Sequence, residues 1–273
     1  MTTTSRAGRA ASRADRSDAV DWAARAGLLA YGVVHLVIAW LAVQLALGDR
    51  EGSPNQKGAV RELAEQPFGQ VLVWAVAVGL LLLVLWQGLE AALGHRDDDG
   101  FTRTRKRVGS AGRAVVYLAL GVSTLQVATG SGSSGGGGTD STTAKLLGLP
   151  GGQLLVGLVG AGVLAVGGYL VWKGVSDRFL RDLEHSGRSG STGTAYTWLG
   201  RVGHVAKGVA LGIVGVLFGW AAATHDPEKS GGLDQALREV LDQPFGPVLL
   251  IVTALGIGAY GLFCFAWSRH LDR

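Results

Sequence analysis

Apolar residues fill six long stretches of this 273-residue chain, near 26–47, 70–94, 112–129, 153–172, 203–223 and 247–267, and the charges gather between them. Val71 to Leu85 carries no charge on any helical face, whereas a helix of a water-soluble domain sets an apolar stripe against a polar one. A bilayer-spanning helix needs about 20 mostly apolar residues, so each stretch predicts one span. The third is short and the fifth opens with polar residues, so those ends are the least defined. The expected fold is all-α: a polytopic membrane protein with six transmembrane helices.

The spans are not independent, because one helical-hairpin pattern is written three times. Trp22-x2-Arg25-x-Gly27-x3-Tyr31-Gly32 recurs as Trp198-x2-Arg201-x-Gly203-x3-Lys207-Gly208, and more weakly as Arg107-x-Gly109-x3-Arg113-Ala114. Each copy runs through an apolar segment and a polar loop to Pro67, Pro150 or Pro244, which lie 42, 43 and 43 residues after the arginine. Gly79, Gly162 and Gly256 each follow 12 residues beyond that proline. The reading divides the chain into a disordered tail at 1–21 and repeats at 22–96, 104–178 and 198–270. Parallel repeats of this kind can be related by an axis along the membrane normal, here a pseudo-threefold one.

Each loop should carry a short amphipathic helix on the membrane surface. In the outer repeats it ends in Gln66-Pro67-Phe68-Gly69 and Gln243-Pro244-Phe245-Gly246. Proline disfavours helix just before itself and suits a first helical turn, so this corner closes one helix and opens the next span. Phe68 and Phe245 sit where interfacial aromatic anchors are expected. The middle repeat departs from the pattern, with a Gly/Ser-rich loop at 130–138 and a Leu149-Pro150-Gly151-Gly152 corner. Such a stretch reads as a flexible linker.

Charge adds orientation. Nineteen of the 25 lysines and arginines fall in the N-terminal tail, the two inter-repeat linkers and the C-terminus, against six in the intra-repeat loops (Arg50, Lys57, Arg61, Lys145, Lys229, Arg238). The positive-inside rule places the richer side, and so both termini, in the cytoplasm of a bacterial plasma membrane. The pI of about 9.4 reflects this asymmetry and gives no reason to invoke nucleic acid. The single cysteine, Cys264, lies inside the last span, which leaves no intrachain disulfide and no thiolate metal site.

Ionisable groups inside a membrane are costly and mark candidate function. Six residues after Arg25, Arg107 and Arg201, about 9 Å deeper by helix rise, stand Tyr31, Arg113 and Lys207. His35 and Tyr117 follow one turn later, and His204 lies one turn before Lys207. If the odd-numbered spans face a common axis, Tyr31, Arg113 and Lys207 form a basic ring opening to the cytoplasm. The plainer reading makes the three arginines interfacial anchors, lets Arg113 and Lys207 snorkel, and makes His35 a packing residue. Gln44, Gln87 and Gln126 could bridge helices. The stripes Gly208-x3-Gly212-x2-Gly215-x3-Gly219 and Gly157-x3-Ala161-x3-Ala165 allow close helix approach, read as packing within the chain rather than dimerisation. The acidic turn after His95 (Asp97, Asp98, Asp99) reads as solvated and not as a cation site.

The chain resembles a known family, the bacterial, mostly actinobacterial, membrane proteins of domain of unknown function 1206. The resemblance spans about 22–270 and rests on the Arg-x-Gly openings and the Pro-Phe-Gly corners. It implies three tandem two-helix modules and carries no activity. Small-solute transport or permeation through a basic-lined cavity, favouring an anion, is the leading expectation. The rival is a non-transporting structural or accessory protein of the cell envelope whose outer loops bind a membrane-protein partner. No catalytic constellation, cofactor motif or metal-ligand spacing is present in the sequence, so no enzyme is expected.

Overall fold

Glycine at crossing points lets apolar helices approach closely, and that property organises this bundle. The computed structural model describes residues 3–49, 52–94, 99–130, 139–183 and 190–270. Among these, six helices are long and apolar enough to cross a membrane: α1 (Thr3–Ala46), α3 (Gly69–Leu93), α4 (Gly100–Ala128), α6 (Gly152–Val175), α7 (Gly190–Thr224) and α9 (Gly246–Arg269). Three short helices, α2 (Gln56–Glu65), α5 (Thr139–Leu147) and α8 (Leu233–Leu241), lie in the intra-repeat loops. The chain is an all-α membrane protein of three tandem helical hairpins.

Several helix starts lie further out than hydropathy indicates. α4 and α7 begin at Gly100 and Gly190, well ahead of their apolar stretches. The tail expected to lack regular structure is helical from Thr3 and continuous with the first span. It is rich in alanine and arginine, both strong helix formers. His95, Asp97, Asp98 and the glycine run at 131–138 lie outside the described residues.

All three corners share one geometry. Phe68, Gly151 and Phe245 adopt left-handed φ values of 62°, 74° and 60°. The next residue's N–H donates back across each corner: Gly69 to Gln66 O at 2.7 Å, Gly152 to Leu149 O at 2.8 Å, and Gly246 to Gln243 O at 2.8 Å. Proline second, a left-handed third residue and a hydrogen bond from fourth to first are the marks of a type II turn. The middle repeat, read from its sequence as degenerate, therefore keeps both the corner and its short helix α5. Gly151 supplies the positive φ without the steric penalty that Phe68 and Phe245 bear. The glycine that follows is fixed by space: a Cβ would lie 2.0 Å from Leu63 O at Gly69, 2.0 Å from Leu146 O at Gly152, and 1.7 Å from Leu241 O at Gly246.

Neighbours follow chain order around the bundle, and the most extensive contacts join the second helix of one repeat to the first helix of the next. These pairs are α3 with α4, α6 with α7, and α9 with α1. In the α6/α7 pair, Gly160, Gly167 and Gly174 face α7, where added Cβ atoms would lie 2.7–2.9 Å from backbone atoms of Gly219, Gly208 and Arg201. The working stripe of α6 thus repeats every seven residues. The expected Gly157-Ala161-Ala165 stripe is not the interface: Ala161 and Ala165 are exposed. On α7, Gly208 and Gly215 do pack against α6, whereas Cβ atoms at Gly212 and Gly219 would meet open space. The α1/α9 pair repeats the device, with Gly32 and Gly261 each lying against the other's carbonyl oxygen.

Hydrogen bonds pin two of these pairs at both ends. Arg107 donates through Nε and Nη2 to Gly94 O, at the end of α3 (3.3 and 3.2 Å). Arg201 grips the Asp177 carboxylate just beyond α6 (3.1 and 2.6 Å). At the opposite ends, Gln70 donates to Ala128 O and Gln153 to Ala222 O. The two glutamines hold equivalent repeat positions, as do the two carbonyls.

Within hairpins the contacts are lighter. α3 leans on α1 through Leu83 at Gly27, and α9 on α7 through Tyr260 at Gly203. α4 and α6, the two spans of the middle hairpin, share no extensive contact.

Gly208→Ala puts a methyl 2.6 Å from Gly167 O, whereas Gly212→Ala points into free space. Unfolding of the purified protein in detergent should show Gly208→Ala destabilised by about 2–4 kcal/mol and Gly212→Ala unchanged within about 1 kcal/mol.

Candidate functional site

The polar stripes of the odd spans converge on one aromatic cluster. Tyr31 and His35 stand one turn apart on α1, with ring centroids at 4.3 Å. The Tyr117 ring, from α4, lies edge-on to Tyr31 at 6.0 Å. From α7, the Lys207 ammonium donates to Tyr31 Oη at 2.6 Å and sits 4.5 and 4.0 Å from the ring centres of Tyr31 and Tyr260. Cation–π contact of this kind is worth more when water is excluded, and Lys207 is half-buried. No carboxylate among the described residues pairs with it.

His35 and His204 are both buried. Each Nδ1–H donates to the carbonyl one turn back: Tyr31 O at 2.8 Å and Gly200 O at 2.7 Å. That fixes the tautomer and leaves Nε2 as the far-side nitrogen. His35 faces Tyr260 at 5.0 Å. His204 stacks on Phe179 at 5.1 Å and meets Tyr260 and Phe263 at 5.1 and 5.3 Å. Tyr260 therefore joins two histidine environments, with Lys207 over its face.

Five of the six residues singled out from the sequence meet here: Tyr31, His35, Tyr117, His204 and Lys207. Arg113 sits apart. Its guanidinium donates to Gln87 Oε1 and to Ser110 Oγ, both at 3.1 Å, and so bridges α3 to α4 instead of completing a ring with Lys207. Gln87 thus does bridge helices. The arginines at the span openings divide: Arg107 and Arg201 cap the preceding helix as described, while Arg25 is exposed.

Tyr260 stands on α9, an even span, outside the polar stripes that mark the odd ones. Its signal lay in the repeat, where it replaces Leu83 and Val166. Phe179 lies beyond the fourth span, and nothing local in the sequence marks it. A cavity of about 310 Å³ lies elsewhere, between α1 and α2 and lined by Leu36, Val37, Trp40, Glu62, Leu63 and Gln66.

The triple hairpin and its corners agree with known sequences. The model of the family described as Domain of Unknown Function (DUF1206) matches three times, at 26–94, 108–177 and 202–270. The chain belongs to the DUF1206 family. It is also 30% identical over 243 residues to the uncharacterized protein YxxB of Bacillus subtilis (strain 168), covering 88% of this chain and 86% of that one. No solved structure matches. The three matched segments coincide with the three hairpins, so the family unit is one span, its short loop helix and the next span. The Lys207 cluster, built from α1, α4, α7 and α9, draws on all three copies.

A DUF1206 protein that kept Lys207 only as glue would gain little by it, since an apolar side chain of similar volume fills such a place at lower desolvation cost. Taking an unpaired charge out of water carries a desolvation cost that an apolar side chain of similar volume does not. Lys207→Met should therefore unfold at an equal or higher temperature in detergent. Tyr31→Phe removes the only hydroxyl that Lys207 is seen to contact, and should cost about 1–3 kcal/mol. A clear loss of stability in Lys207→Met would make the lysine structural.

Proposed function

We propose that this DUF1206 protein is a small-solute transporter or permeation protein of the bacterial plasma membrane, with both termini cytoplasmic, and that it handles anions. The observation that carries the reading is Lys207: a cation at the meeting point of three repeats, cradled by Tyr31 and Tyr260, with no carboxylate partner among the described residues. A half-buried cation held only by a hydroxyl and two ring faces retains unspent electrostatic attraction for an anion. The Tyr117 hydroxyl, beside Tyr31, adds a group able to donate to an oxyanion. Arg113 supplies a second cation one turn before Tyr117. The cluster holds no nucleophile–base–orienter arrangement, and the reading assigns the protein no chemical reaction.

The rival role, an envelope scaffold working through its loops, predicts an inert Lys207. Proteoliposomes loaded with labelled chloride, phosphate or acetate separate the two. At least one anion should cross faster than through protein-free vesicles, and Lys207→Gln should slow it about tenfold, the scale of one lost charge-assisted contact. In parallel, Lys207→Cys on a Cys264→Ser background should react with an impermeant maleimide from the cytoplasmic side. Wild-type flux at the protein-free level for every anion, with an unreactive Cys at 207, would overturn the reading.

A further inference from the structure

The three repeats are internal controls for one another, and they disagree at one place. In repeat 1 the α1/α3 seam is closed by Leu83 at Gly27 and by Gly79 against Ala30, where added Cβ atoms would lie 2.4 and 3.2 Å away. In repeat 3 the α7/α9 seam is closed by Tyr260 at Gly203 and Gly256 against Ala206, at 2.5 and 2.2 Å. The equivalent positions of repeat 2 are Gly109, Gly112, Gly162 and Val166. A Cβ at any of the three glycines meets nothing within 4 Å, and Val166 is 52% exposed. A seam that is packed twice is vacant in the third copy.

That vacancy is level with the cation. Gly167, beside Val166, abuts Gly208 O, and Gly208 follows Lys207. Lys207 and Arg113 hold equivalent repeat positions, six residues after Arg201 and Arg107, at one depth on α7 and α4, with the Lys207 ammonium turned to Tyr31 and Tyr260 and the Arg113 guanidinium to Gln87. Among the described residues, α4 and α6 are the ring neighbours that share no extensive contact, and within a bilayer such a seam faces hydrocarbon. The remaining seam surface is apolar: Val116 on α4 is 55% exposed, and Val159 on α6 43%.

We infer that the α4/α6 seam is a lateral binding site for an amphiphilic anion, with its acyl chain in the seam and its headgroup at Lys207. This rests on the anion reading above and narrows it: the substrate comes from the membrane and carries a chain. Charge complementarity selects the headgroup, and an oil-facing slot lined by glycine selects an unbranched chain. The same headgroup chemistry on a short water-soluble anion lacks the chain contribution, so binding should be chain-dependent.

The test uses the full chain in phosphatidylcholine nanodiscs and compares spin-labelled stearate with phosphatidylcholine bearing the same label. Labelled acetate is bound in parallel. The motionally restricted stearate component should exceed that of phosphatidylcholine at least about threefold, a modest selectivity of under one decade in affinity. Gly162→Leu and Gly112→Leu, both pointing into free space, should each abolish the excess while leaving acetate binding intact. Lys207→Gln should abolish both. If wild-type protein binds acetate but restricts stearate no more than phosphatidylcholine, the seam holds only bulk lipid. The lateral site is then wrong while the anion reading survives. An excess that persists in both leucine variants places the chain elsewhere and also overturns the inference. Absence of acetate and stearate binding alike removes both readings.

Discussion

Everything in this bundle depends on backbone-to-backbone contact between the end of one repeat and the start of the next. Inside a bilayer, helices gain nothing by leaving oil for oil, so association relies on close van der Waals fit and on hydrogen bonds. Gly167 against Gly208 and Gly261 against Gly32 provide the fit. Arg201 on Asp177, Arg107 on Gly94, and the glutamines at 70 and 153 provide the bonds. The unit of packing is thus displaced by one helix from the unit of sequence. A single hairpin leaves its best surfaces unpaired, so three copies must close on one another, α9 returning to α1.

The corners serve that arrangement. A left-handed residue between proline and glycine reverses the chain within one turn and sends the short loop helix directly into the next span. Phe68 and Phe245 hold φ values that cost a non-glycine residue about 1–2 kcal/mol, yet both side chains are more than 80% exposed and pack on nothing in the protein. Exposure of this kind suits the interfacial anchoring expected from their place in the sequence. Gly151 lacks both the strain and the ring.

Architecture was legible because it is written in spacing: Arg to Pro, Pro to Gly, repeated at a fixed period, with hydropathy marking the spans. The six spans, three hairpins and convergence of the Tyr31 and Lys207 stripes follow from those intervals. What escaped was anything decided by which face of a helix meets which neighbour. The stripe Gly157-Ala161-Ala165 has ideal small-residue spacing, but α6 packs through Gly160, Gly167 and Gly174, at a seven-residue period. Arg113 occupies the same repeat position as Lys207, but Gln87 and Ser110, both buried beside it, offer it acceptors, where the equivalent positions around Lys207 hold Leu170 and His204. Tyr260 is invisible until α9 is placed against both α1 and α7. Pattern gives the ring, and only the particular side chains say which positions on it come together.

The opening between α4 and α6 follows from the same hierarchy. Three extensive inter-repeat pairs alternate with three lighter intra-hairpin seams, so a ring that must part somewhere parts at a seam. Which seam is set by the residue that fills it. Leu83 enters the notch at Gly27 and Tyr260 the notch at Gly203, whereas the middle repeat offers only Val166 opposite Gly109 and pairs Gly162 with Gly112 instead of with an alanine. Less buried surface means less attraction. Packing thus leaves the middle hairpin open, at the depth of the lysine that the aromatic cluster holds without a carboxylate partner among the described residues.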